Sequence, residues 1–190
     1  MSGIDRATAQ WYVDTALAKL LARADELVDA GGEELLCGRP DVEGANSVYA
    51  LVVHCCGVME RWGGETIAGR QIRRDRAAEF NAMGTIDQLE ALVAAQRRRW
   101  VDDLADYDAG AAPRGPDGWE EGDPEPTTQG FVVLHVIEEL YQHLGHVDLT
   151  VDLVLGRAPA RRREGLPPVP RAALDGRQHP EGGREAPRVQ

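Results

Sequence analysis

Lysine is nearly absent: Lys19 is the single lysine among 21 Lys and Arg, which are outnumbered by 32 Asp and Glu for a formal net charge of −11. Affinity for phosphate backbones comes chiefly from Lys and Arg. A chain this acidic is therefore not expected to bind nucleic acid, and the same charge works against an anionic membrane surface. The preference for arginine is read as GC-rich codon usage, not as a phosphate-binding signal. No apolar run approaches the roughly 20 residues that a spanning helix needs. The opening residues, MSGIDRATAQ, lack the basic and apolar regions of a secretory signal. Cysteines number three, Cys37, Cys55 and Cys56, with no CxxC spacing. An odd count with two adjacent residues is not a disulfide framework. The expected location is a reducing cytoplasm.

What is present is helical periodicity. Apolar residues make up 43% of the chain, enough for a core, and recur at three- and four-residue spacing in four segments. The first covers residues 5–30, with Trp11, Val13, Leu17, Leu20, Ala24 and Leu27 in its stripe and Gly31-Gly32 as its stop. The second starts near Asn46 or Ser47, both good N-caps, and runs to Trp62, where Gly63-Gly64 is expected to end it. The third opens at Thr85, with Gln88 three residues on in a capping-box pattern, and continues to about Tyr107. The fourth covers residues 128–155. Residues 33–45 and 109–129 read as loops. No segment alternates well enough to need a β-sheet, and no internal repeat is present. The expected fold is all-α, a four-helix bundle over residues 1–157. Residues 158–190 are rich in Pro, Gly and Arg, and poor in large apolar residues. Such a segment buries too little surface to offset its ordering entropy and is expected to be a flexible or extended tail.

The chemistry concentrates on the fourth segment. His135, Glu139, His143, His146 and Thr150 fall on one helical strip that borders the apolar stripe. A Glu and a His four residues apart on a helix can face one ion. His135 and His143 are separated by about 12 Å of helix rise, so they cannot share an ion. The pair is either His135 with Glu139 or Glu139 with His143. A third ligand must come from another helix, and His54, on the flank of the second apolar stripe, is the natural partner. Without a metal, the same residues would be a boundary histidine and a weak surface pair. Cys55 lies in the centre of its stripe and reads as core, and Cys56 points elsewhere.

The stretches from Asn46 to His54 and from Glu138 to His146, the latter reading E-E-L-Y-Q-H-L-G-H, resemble the DinB-like superfamily. The stretch Arg74-Asp75-Arg76-Ala77-Ala78-Glu79-Phe80 is similar to its mycothiol-dependent branch, which includes mycothiol S-transferases and maleylpyruvate isomerase. The resemblance covers residues 5–156. It implies a DinB-like bundle and a divalent metal, zinc or another such as nickel. It selects His54, Glu139 and His143 as ligands, because this branch carries Glu at the first ligand position of the last helix. It implies an open coordination position where a low-molecular-weight thiol, mycothiol, is activated for attack on an electrophile. No nucleophile from the protein is then needed. His146, His135 and Asp148 are expected around the ligands, and Arg74 and Arg76 near an anionic group or in a salt-bridged loop. The extra C-terminal domain of maleylpyruvate isomerase is not matched by the Pro- and Arg-rich tail, which argues against that particular activity. The alternative function is a non-catalytic, stress-related metal-binding protein. Members of the superfamily often pair through helix faces, so a homodimer is also expected.

Overall fold

The computed structural model describes residues 3–115 and 128–157. The expected tail, 158–190, lies outside the described residues, as does the 116–127 part of the connection before the last helix.

Each long helix begins where a side chain can take over an orphan amide. Helix α1 (Arg6–Gly31) is capped by Asp5, whose carboxylate accepts from the Thr8 amide at 2.8 Å. Its C-terminal Gly32 has φ 77°, the left-handed region in which a Cβ is costly. Helix α2 (Glu33–Cys37) is a single short turn in a stretch expected to be loop. Glu33 and Glu34 suit its positive N-terminus, and Leu36 is fully buried beneath it. Helix α3 (Val48–Met59) is capped by Ser47. A short α4 (Arg76–Glu79) follows Asp75. Helix α5 (Ile86–Asp103) has the capping box read from Thr85 and Gln88, with both hydrogen bonds made, but stops at Leu104, short of Tyr107. Helix α6 (Gln129–Val154) is capped by Thr128.

One expectation about termination is overturned. Gly63-Gly64 does not end the second helix. Met59 leads directly into a π-helical segment (Glu60–Ile67) that runs through both glycines. Hydrogen bonds span five residues there, as from the Ala68 amide to the Gly63 carbonyl at 2.9 Å. The glycines serve close approach instead. A Cβ on Gly63 would stand 2.8 Å from Trp100 Cε3, and one on Gly64 would stand 2.6 Å from Ile72 Cδ1. The chain turns away only at Gly69, φ 75°.

The four long rods pack in the cyclic order α1, α6, α3, α5, with α1 and α3 on one diagonal. Ala9, Leu17, Leu20, Leu27, Leu51, Leu89, Trp100, Val136 and Leu140 fill the space between them and are essentially inaccessible. Burying each large apolar side chain contributes about 1.5–3 kcal/mol, so the bundle is held by its stripes. The contact of α3 against α6 brings residue 54 opposite residues 139 and 143.

Candidate metal centre

His54 is 3% exposed and lies on the face of α3 that packs toward α6. Glu139 and His143 stand one helical turn apart on α6, both half-buried. One ligand-type atom from each of His54, Glu139 and His143 lies within 4.8 Å of the other two. The His54 and His143 rings meet edge to face at 4.7 Å between centroids. His143 Nε2 is 3.3 Å from Glu139 Oε2. Ligands of one tetrahedral zinc stand about 3.3 Å apart, a gap that small side-chain rotations close.

The electrostatics suit a cation. The hydrogen bond from His143 is the largest influence on Glu139. Together with the charges of His135, His143 and His54, it outweighs burial and holds the carboxyl below its usual range. Glu139 is thus ionised at neutral pH. His143 Nδ1 is buried and has no hydrogen-bond partner among the described residues, the kind of orphaned atom that a native structure has to account for. Two imidazoles and one carboxylate match the donor set of catalytic zinc sites, which leave a position open.

The remaining expected residues divide. His135 lies beside Glu139 but farther away, its Nε2 3.9 Å from Oε1, and its ring packs edge-on against Trp62 at 5.0 Å. It does not join the three-residue group. His146 is exposed and stacks on His143 at 6.2 Å, and partial burial with the His143 charge pushes it below the usual imidazole value. Asp148, expected near the ligands, instead pairs with Arg23 of α1 at 2.9 Å and is half exposed. Arg76 lies over the Phe80 ring. Arg74 grips Glu79 through two bonds, Nε to Oε1 at 2.6 Å and Nη2 to Oε2 at 2.8 Å.

On sequence alone, Glu79 has no place in the site. It stands in the stretch that resembles the mycothiol-dependent branch and in a charged, salt-bridged loop, with no role of its own, yet it is buried, and its Oε2 lies 2.7 Å from His54 Nδ1. Burial pushes its carboxyl up, but hydrogen bonds from His54 and Arg74 win and leave it below the usual value. Phe80, its neighbour, stacks on the His54 ring at 4.4 Å and 28°. A contact between positions 25 residues apart, across an irregular connection, leaves no periodic trace. Cys55 and Cys56 do not join the three-residue group. Burial raises Cys55 well above an ordinary thiol, and burial with the Glu79 charge raises Cys56 to about 12.

Among curated proteins, no sequence matches this chain. The protein-family comparison does find a match, to Mycothiol-S-transferase, over residues 10–154. That span contains α3, α6 and every residue of the centre. The chain therefore belongs to the mycothiol-S-transferase family.

Proposed function

We propose that this protein is a divalent-metal-dependent S-transferase, which activates mycothiol or a similar small thiol for attack on an electrophile. The observation that carries the reading is the convergence of His54, Glu139 and His143 within a chain of this family. These three residues would hold the ion, with zinc favoured by the donor set and nickel the main competitor. When bound, such a cation supplies Lewis acidity that favours the thiolate form of a thiol at its open position near neutral pH.

The chain's own residues account for the rest. Glu139, ionised, offsets part of the cation's charge. Trp62 and His135 close one flank of the centre, and His146 marks the solvent side. No nucleophile from the protein is needed in this reading, and Cys55 and Cys56, the cysteines that follow His54, are buried with their thiols pushed up. The attacking sulfur is the cosubstrate's. Its proton passes to solvent, the S–C bond forms, and the electrophile's leaving group departs with its electron pair. Among the described residues, no helix is long and apolar enough to cross a membrane. A cytoplasmic location and a homodimer belong to the same proposal.

Elemental analysis of the purified, untagged protein tests it. We expect about one zinc per chain, lost in His54→Ala and His143→Ala and retained in His135→Ala. The native protein should then catalyse transfer of mycothiol to a halogenated electrophile, and the metal-free variants should not. Loss of metal in His135→Ala, with retention in His143→Ala, would reverse the ligand assignment. A metal-loaded protein with no transfer activity would favour a non-catalytic binding role.

A further inference from the structure

The two candidate imidazole ligands are held in different ways. Among the described residues His143 Nδ1 has no hydrogen-bond partner, whereas His54 Nδ1 faces a carboxylate at 2.7 Å. That carboxylate is itself immobilised. Arg74 binds both of its oxygens, and the backbone of Gly57, one turn beyond His54 on α3, lies against it so closely that a Cβ at that position would overlap Oε1. Phe80 covers one face of the same ring. A short connection far from α6 in sequence therefore delivers three constraints to a single imidazole.

We infer that Glu79 is a positioning residue for the metal centre. Through Nδ1–H it fixes the tautomer and ring orientation of His54, so that Nε2 is the free donor atom presented toward Glu139 and His143. Arg74 holds the carboxylate in place, and its Nη2 also stands 3.4 Å from His54 Nδ1, farther than the carboxylate oxygen at 2.7 Å. The inference rests on the metal-binding reading above. Its chemical logic is general: a ligating histidine has one ring nitrogen on the ion, and the hydrogen bond at the other decides which nitrogen that is. Because His143 lacks such a partner among the described residues, orientation of the imidazole pair depends on Glu79 disproportionately.

The test uses the full chain and Glu79→Gln, which keeps the volume that Gly57 and Arg74 enclose. Zinc affinity is measured by competition with a chromophoric chelator. The tautomer is read from ¹⁵N shifts of the imidazoles in the metal-free protein, with the thermal midpoint as a check on folding. The native protein should show a protonated Nδ1 and a bare Nε2 at His54. Glu79→Gln should bind zinc roughly 10–100-fold more weakly and show a mixed or reversed His54 tautomer. Arg74→Gln should give a smaller loss in the same direction. If the native protein binds zinc and Glu79→Gln binds it within about twofold, with the tautomer unchanged, the positioning role is overturned while the centre stands. If Glu79→Gln unfolds, Arg74→Gln and the native tautomer decide: a native His54 protonated at Nε2 overturns the inference. If the native protein binds no zinc, the centre is overturned and the positioning role falls with it.

Discussion

Gly57→Ala sets two calibrated effects against each other. In a helix interior, alanine is favoured over glycine by about 0.8–1.0 kcal/mol. Residue 57 lies within α3, so propensity alone would make the variant more stable. The local geometry opposes this. A methyl group there would overlap Glu79 Oε1 and come within 2.5 Å of Cδ. Glu79 is not a free chain end that can swing aside, being bonded to Arg74 at 2.6 and 2.8 Å and to His54 at 2.7 Å. Hydrogen bonds to charged groups contribute about 1.5–3 kcal/mol each. Displacing the carboxylate far enough to lose one or two of them outweighs the helix gain, leaving about 2 kcal/mol of net destabilisation. For a domain of this size that is a fall of roughly 4–8 °C in thermal midpoint. The assay is a far-UV circular dichroism melt in excess EDTA, so that metal binding plays no part. Gly145→Ala is the control: residue 145 lies inside α6 with no neighbour within 4 Å of its would-be Cβ among the described residues, and its midpoint should rise by about 2–4 °C. A Gly57→Ala midpoint equal to or above the native value would refute the claim that Glu79 is pinned.

Two other outcomes are expected. Thr85→Ala removes half of the capping box at the start of α5 and should destabilise by about 1 kcal/mol, read as a lower urea midpoint at unchanged slope. In the native state a thiol-specific disulfide reagent at pH 8 should modify Cys37, which is half-buried, and leave Cys55 and Cys56 untouched. Their folded values lie above the assay pH, Cys56 at about 12, so both remain thiols until denaturant exposes them. Rapid labelling of more than one cysteine in the folded protein would contradict the burial assigned to α3.

The four long helices were legible because each carries an unbroken 3.6-residue stripe and a side-chain cap. Trp11, though placed in the first stripe, is exposed, while Val13, Leu17 and Leu20 beside it are buried. Periodicity finds the stripe more surely than its edges. The strip on α6 was legible for the same reason: helical spacing put Glu139 in reach of a histidine on either side. Spacing could not choose between His135 and His143, because both are one turn away. The packing of α3 on α6 brings His143 to His54, while His135 packs against Trp62. The short α2 and α4 went unread because one turn of helix carries no period. Glu79 escaped for a related reason: its position depends on a tertiary path, not on a local pattern.

The π-helical segment is, in effect, a phase shifter. An α-helix advances its side chains by 100° per residue, so from Val48 to Met59 the inward face follows one clock. From Glu60 to Ile67 the turns are wider and the clock runs slow. Trp62 and Ile67 are both buried within this segment. Everything downstream, including the chain leading to Arg74 and Glu79, departs from the rod with that altered phase. The segment therefore sets the azimuth from which the polypeptide returns to His54. A one-residue change of length there would act on the centre as a rotation, although it lies outside the group that would hold the ion.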